Sequence, residues 1–314
     1  MITVTGSLAF DTIMDFPGKF SDHIMPDKIH QINLSFLVNK LSKQKGGTAG
    51  NIAYNLALLK IPVSIVGAAG SDFSEYGKFL QDAGVDISKI KVIQEESTSS
   101  AFIMTDKSDN QITAFYPGAM TQNSSLSIPV SDLVVISPND PAAMIKFVKE
   151  CQKKNIPYML DPGMQLPALS PEDLKNMING TTILIGNDYE IALLKERLSL
   201  SESDILSQVK ILITTLGEKG SIIQSGSQTI EVNPAKPNEV VDPTGAGDAY
   251  RAGFLAGYMK GLDLSVCGQM GSVVACFAIE KYGTTSHKFS MEEFSERYKE
   301  NFREELAYPS LRGA

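Results

Sequence analysis

The sequence contains no tryptophan and only three cysteines and three histidines in 314 residues. Cysteines so few and so scattered, at positions 151, 267 and 276, cannot build a disulfide framework. No C-x-x-C pair or Cys/His cluster offers a zinc site, so Cys151, Cys267 and Cys276 read as small buried apolar residues. Positive charge is also in short supply: 28 Lys and Arg stand against 36 Asp and Glu, for a net charge of -8. That balance, without any basic run, argues against nucleic acid as a partner. No apolar run approaches the roughly 18 residues a membrane-spanning helix needs. The opening "MITVTGSLAFD" lacks the basic stretch and apolar core of a signal peptide. These absences point to a cytoplasmic protein that binds small molecules, and to neither nucleic acid nor membrane.

What remains is an ordinary globular composition, 43% hydrophobic and 20% charged. Short β-branched runs at 2–7, 63–70, 132–137, 157–161, 181–187 and 210–217 are separated by helical patterns at 49–60, 74–83, 141–154, 188–197 and 202–208. Strand and helix in alternation predict a mostly parallel sheet covered on both faces. Ligands then bind beyond the carboxyl ends of the strands. Two segments, about 12–45 and 96–117, break the alternation with strand-like stretches such as "HQINLSFLV" and "SAFIMTDKSDNQITAFYPG". A small β-sheet lid on a single domain spanning 1–314 accommodates both, with "SDNQ" as a hairpin turn. The tail from about residue 303 reads as loosely held.

Glycines gather where strands end and helices begin. In "VVDPTGAGDAYRAGFLAGYMKG", 240–261, the apolar positions follow a 3.6-residue period from Gly245 onward. A helix mouth there exposes unsatisfied N–H groups and the positive end of the helix dipole, which together stabilise an anion. Asp248 in that first turn would repel a resting phosphate, yet it is well placed to take a proton from a nucleophile attacking one. Close helix packing by the glycines, with Asp248 as a dipole-stabilised charge, is the alternative.

Four more stretches have the same form. "QKGGTAGNIAYNLALLK", 44–60, puts Gly46 and Gly47 before a helix that carries Asn51, a donor and acceptor for hydroxyls. Asp11 closes "TGSLAFD" and can accept from a pair of hydroxyls. In "GNDYEIALL", Asn187 and Glu190 suit a hydrated magnesium ion, and equally suit helix capping. In "TTLGEKG", 214–220, Thr215 and Gly217 can meet phosphate oxygens, or the segment is a plain hairpin turn.

The ordered set "GGTAGN", "GNDYE", "TTLGEKG" and "DPTGAGDAYRAGF" resembles the PfkB, or ribokinase-like, carbohydrate and nucleoside kinase family over almost the whole chain. No P-loop or protein-kinase signature competes with it. The resemblance implies a ribokinase-like three-layer α/β/α domain with a mostly parallel central sheet and a small β-sheet lid. It implies Asp248 as general base, with Gly245, Ala246 and Gly247 stabilising the transferring phosphoryl group. Asp11, Gly47 and Asn51 would hold the acceptor's hydroxyls, with Phe115 and Arg251 also at the substrate. Thr215, Gly217 and Gly220 would line the ATP turn, and the helix "SVVACFAIEKYG", 272–283, with Ala275 and Tyr282, would wall the adenine. Asn187 and Glu190 would organise magnesium through water, and Asp242 and Thr244 lie where many relatives hold potassium. ATP and Mg2+, with K+ as an addition, are therefore the expected cofactors.

The lid aromatics Phe36, Phe102, Phe115 and Tyr116 suit stacking on a base, or else a lid core. Pro243 and Arg251 within the last motif, and "GSLAFD" without an asparagine before its aspartate, favour a nucleoside kinase of the adenosine or broad type. A sugar kinase is the runner-up, and a non-catalytic nucleotide or sugar sensor the third reading. A monomer and a homodimer paired through the lids both fit.

Overall fold

The computed structural model describes residues 1–25, 33–108 and 110–306. In chain order β1 (Ile2–Thr5) and β2 (Ala9–Asp15) lead to β3 (Lys40–Gly46), α1 (Thr48–Leu58), β4 (Val63–Gly70), α2 (Ser74–Asp82), β5 (Ile90–Ile93), β6 (Ser99–Thr105) and β7 (Gln111–Tyr116). Next come β8 (Leu133–Ile136), α3 (Pro141–Lys154), β9 (Tyr158–Leu160), α4 (Pro171–Ile178), β10 (Ile183–Asn187), α5 (Asp188–Leu198), α6 (Glu202–Leu206) and β11 (Ile211–Thr215). A hairpin of β12 (Ser221–Ser225) and β13 (Gln228–Val232) precedes α7 (Ala246–Tyr258), α8 (Leu264–Ile279) and α9 (Met291–Phe302).

Nine strands form the main sheet, in the order β13-β12-β11-β10-β9-β8-β1-β4-β5. Pairing is parallel from β11 through to β5, and antiparallel only at the β11, β12 and β13 edge. From β1 the chain builds outward in one direction through β4 and β5, and later in the other from β8 to β11. The order therefore reverses between β1 and β8, and a crevice opens beyond the carboxyl ends of the strands there. Strands covered on both faces are buried along their length and mostly apolar, and every residue of β1, β4 and β8 is buried, with Thr3, Thr5 and Ser64 as buried hydroxyls.

Local signals set the helix ends. Asp140 accepts the Ala143 N–H ahead of Pro141 at the start of α3, and Ser170 does the same for Asp173 ahead of Pro171 at α4. Asn155, in the left-handed region at φ 53°, ends α3. Ser290 and Glu293 form a reciprocal capping box at α9. The caps of α4 and α9 are legible in the sequence, although the apolar pattern alone does not single out those two helices.

β2, β3, β6 and β7 form a second, four-stranded sheet in the order β3-β2-β6-β7. The expected strand "HQINLSFLV" falls partly outside the described residues, and 33–38 is not a strand. Phe36 is drawn instead into an aromatic cluster with Phe16 and Phe20, at ring-centroid distances of 4.9 and 5.3 Å. Leu37 beside it is left 86% exposed, so the alternation marks a local cluster and not a pleat. Of the expected "SDNQ" turn, Asp109 lies outside the described residues, as does the tail from 307.

The wall expected at 272–283 is also revised. Helix α8 begins earlier, at Leu264, and ends at Ile279, whose carbonyl accepts the N–H groups of Val241 and Asp242. Gly283 follows at φ +89°. Tyr282 therefore stands beyond the helix, under the Lys40 ammonium.

Candidate active site

A cavity of about 450 Å³ lies beyond the carboxyl ends of β8, β9, β10 and β11. Its wall includes Pro138, Asp161, Asn187, Thr215 and Gly217 from the strand side, and Thr48, Gly245, Gly247, Asp248 and Arg251 from the two glycine-led helices. Such a volume suits a small-molecule site.

At the mouth of α7, Gly245 has φ +84°, and a Cβ there would come within 3.0 Å of the Thr284 side chain. The left-handed residue turns the chain sharply from Pro243 and Thr244 into the helix. No side chain caps α7. Among the described residues no acceptor meets the N–H groups of Gly245, Gly247 and Asp248, whereas Ala246 N–H already donates to Pro243 O at 3.2 Å. The unpartnered donors at this helix mouth are thus the two glycine amides and that of Asp248, whereas the Ala246 amide is already engaged.

The Asp242 carboxylate holds this turn in place. It accepts Thr244 N–H at 2.9 Å through one oxygen and Gly283 N–H at 2.9 Å through the other. Among the described residues, no group of three or more His, Cys, Asp or Glu is arranged to hold a metal ion.

The mouth of α1 is built differently. Gly47 has φ +88°, and a Cβ there would come within 2.7 Å of Ala9 N, so packing against the β1–β2 link requires glycine. A Cβ on Gly46 would overlap the Asp11 carboxylate. Thr48 N–H donates to Ser7 Oγ at 3.0 Å, which stitches the helix to the end of β1. From the first turn, Asn51 Nδ2 donates to Asp248 Oδ2 at 2.8 Å, across 197 residues of chain. Asn51 is 4% exposed, and its Oδ1 is buried with no hydrogen-bond partner. A buried acceptor left open costs free energy unless a donor arrives, and a hydroxyl is such a donor.

Two carboxylates that influence one another in this region, Asp248 and Asp11, are hard to ionise. Burial pushes Asp248 up to about 6; Arg251 and the Asn51 hydrogen bond pull it down, while Asp161 and Asp11 add to the rise. Asp11 is also pushed up to about 6, first by burial and then by Asp242. A carboxylate near 6 is ionised at neutral pH yet basic enough to accept a proton in a transition state.

Asn187 and Glu190 form a full capping box at α5: Asn187 Oδ1 accepts Glu190 N–H and Glu190 Oε2 accepts Asn187 N–H, both at 2.8 Å. Both also line the cavity. The helix-capping reading is the one observed, and the cavity position is compatible with the magnesium reading. The box leaves Glu190 Oε1 unengaged, which fits a hydrated magnesium ion that keeps most of its waters.

Other expected residues lie elsewhere. Gly220 has φ +89°, its Cβ would overlap Val232 O, and it closes the turn between β11 and β12. Ala275 and Tyr282 do not line the cavity. Strand register separates the lid aromatics. Asp11 pairs with Ala101, which pairs with Phe115, so these three share one face of the small sheet. Phe102, between Thr12 and Ala114, lies on the other face. So does Tyr116, whose hydroxyl donates to Glu96 at 2.9 Å. Phe115 is 49% exposed and does not line the cavity.

The sequence reading missed Asp161. It is 2% exposed, lines the cavity and forms an ion pair with Arg251 Nε at 2.7 Å. The available signal was its position, since "LDPG" ends a strand at a turn as the other candidates do.

A buried carboxylate beside unpartnered helix-mouth amides, with an open acceptor nearby, is an arrangement compatible with phosphoryl transfer. The chain matches the pfkB family carbohydrate kinase pattern over residues 11–289 and belongs to that family, whose members transfer phosphate to a hydroxyl group. Among its relatives, the nucleoside kinase of Methanocaldococcus jannaschii is 35% identical over 300 residues, covering 94% of this chain and 96% of that protein. The Burkholderia thailandensis nucleoside kinase in complex with inosine superposes with a TM-score of 0.89 at 33% identity, covering 97% of this chain and 99% of the other. The ADP-inosine complex of the same enzyme gives 0.86 at 34% identity, covering 100% and 99%. Among the described residues no helix is long and apolar enough to cross a membrane.

Proposed function

We propose that this protein is an ATP-dependent nucleoside kinase that phosphorylates the 5'-hydroxyl of its acceptor, with Asp248 as the general base. The observation that carries the reading is the Asn51–Asp248 pair at the mouth of α7, with an open buried acceptor on one side and free amides on the other. Its likeness to nucleoside kinases, one of them bound to inosine, supports the acceptor class.

The acceptor's sugar hydroxyls bond to Asp11 and to Asn51 Oδ1, which brings the 5'-hydroxyl to Asp248. Its proton passes to the Asp248 carboxylate as the acceptor oxygen bonds to the γ-phosphorus. The bond from that phosphorus to the bridging oxygen breaks, and ADP leaves with the electron pair. The N–H groups of Gly245 and Gly247, together with the α7 dipole, stabilise the charge on the phosphoryl oxygens. Asn187 and Glu190 would hold magnesium through water, and the ion would supply charge neutralisation at the phosphates. Thr215 and Gly217 border the phosphate end of the nucleotide. The small sheet acts as a lid that excludes water, which would otherwise accept the phosphoryl group. Asp242 organises the Pro243–Thr244 turn, and we place any potassium requirement there.

The test is phosphate transfer from MgATP to adenosine, inosine, guanosine, cytidine, ribose and fructose, in potassium and in sodium buffer. Turnover concentrated on nucleosides is expected, with Asp248→Asn losing at least about 100-fold in kcat while still binding ATP. Turnover confined to free sugars would make the chain a sugar kinase, and an active Asp248→Asn would remove Asp248 as the base.

A further inference from the structure

Arg251 is a buried cation at a place where sequence reasoning expects only contact with the acceptor. It is 6% exposed and lies in the first turns of α7, three residues beyond Asp248. Its guanidinium is met from two sides: Nη1 donates to Gly247 O at 2.8 Å, and Nε lies 2.7 Å from Asp161 Oδ2 in an ion pair without the alignment of a hydrogen bond. Asp161 comes from the end of β9 on the opposite wall, and its Oδ1 is buried without a hydrogen-bond partner. The head group is therefore clamped between the sheet edge and the helix mouth. It lines the same cavity as Gly245, Gly247, Asn187 and Glu190. No described residue accepts from Nη2.

A rotamer-rich side chain immobilised in this way has a charge whose position is set before any ligand arrives. An arginine fork matches phosphoryl oxygens geometrically and keeps its charge. Burial works against that charge, but Asp161 and Asp248 outweigh it and hold the guanidinium above its ordinary value. We propose that Arg251 is a catalytic residue that donates to the transferring phosphoryl group, and that Asp161 is a positioning residue that aims it. As the acceptor oxygen bonds to phosphorus and the bond to the ADP oxygen breaks, negative charge spreads over the phosphoryl oxygens. A fixed cation there stabilises the transition state more than either bound substrate. The inference rests on the kinase reading above and assigns Arg251 to the phosphoryl group instead of to the nucleoside.

The experiment compares wild type, Arg251→Met, Arg251→Ala, Asp161→Asn and the Asp161→Asn/Arg251→Met double variant. Steady-state constants for MgATP and for inosine are measured, with circular dichroism melting of each variant. Arg251→Met is expected to lose about 100- to 1,000-fold in kcat with either KM changed less than about threefold. Asp161→Asn is expected to lose about tenfold, again in kcat. Millimolar guanidinium added to Arg251→Ala should restore part of the lost kcat, which a purely structural arginine would not allow. If Arg251→Met does not fold, the double variant, which removes both members of the Asp161–Arg251 ion pair, gives the same readout. A folded Arg251→Met or double variant with kcat within tenfold of wild type overturns the proposal. So does a loss confined to the inosine KM, or no response to guanidinium. Absence of turnover in the wild type would instead defeat the kinase reading, so the two failures are distinguishable.

Discussion

Asp248 and Asp11 make the site chemically useful and thermodynamically costly by the same means. Each is pushed to about 6 in the folded protein, above the roughly 3.9 of an exposed aspartate. The folded state therefore holds their protons more tightly than the unfolded chain does. The stability this contributes is full below about pH 4 and is lost as pH rises through about 6. At pH 8 both carboxylates are ionised and weaken the fold. Asp11→Asn is accordingly expected to raise the melting temperature by a few degrees at pH 8, a gain that shrinks to nothing near pH 4. Melting curves across that range check it. Catalysis runs the opposite way: kcat/KM should fall as pH drops through about 6, because a protonated Asp248 cannot accept the hydroxyl's proton. A flat rate profile between pH 5 and 8 would contradict this account of the base.

At the scale of elements, the position of Asp248 depends on how closely α7 approaches α8. A Cβ on Gly253 would come 2.6 Å from Met270 O and 2.7 Å from Gly271 Cα, and one on Gly271 would come 2.8 Å from Tyr250 O. The helices cross backbone to backbone, and the neighbours are main chain that cannot swing aside. Gly253→Ala gains about 1 kcal/mol of helix propensity but overpacks a rigid contact at a cost of about 1–3 kcal/mol. The clash should win, with a lower melting temperature and a lower kcat, since the shift is carried along α7 to Asp248. Urea unfolding alongside kinetics would show both. Unchanged stability would mean that the helices separate without resistance. The three buried cysteines belong to this packing level too: burial pushes Cys151, Cys267 and Cys276 up to about 12, which suits apolar filling and not thiolate chemistry.

Across the whole molecule, the site needs the small sheet to meet the large one. Gly283, in the loop held by Asp242, has no room for a Cβ because the Gln44 side chain rests on it. Gln44 pairs with Asp11, so this contact turns the face bearing Asp11, Ala101 and Phe115 toward the body. Phe115→Ala is expected to raise the KM for nucleosides about tenfold or more while leaving free ribose nearly unaffected, in keeping with the loss of base stacking. Phe102→Ala, on the opposite face, should leave both unchanged. Equal effects of the two substitutions on nucleosides would return both rings to the lid's own packing.

Much of this protein is legible in one dimension. β-branched runs mark β1, β4, β8, β9, β10 and β11 of the main sheet, though not its edge strands β5, β12 and β13, and the glycines at 46, 47, 245 and 247 mark its two helix mouths. Hydrogen-bond ladders, capping and apolar period are short-range, so a local pattern is enough to specify them. Alternation misled at 33–38, where aromatic clustering outweighed pleating. The pairing of Asn51 with Asp248, the clamp of Asp161 on Arg251 and the separation of Phe115 from Phe102 are of another kind. Each depends on which strand lies beside which, on the register between them and on the reversal of order between β1 and β8. Long crossover connections bring those residues together, and nothing in the spacing along the chain encodes the meeting point. Sequence alone determined the family and the fold class; the tertiary structure decided which amides stay free, which cation faces the cavity and which aromatic ring shares a face with Asp11.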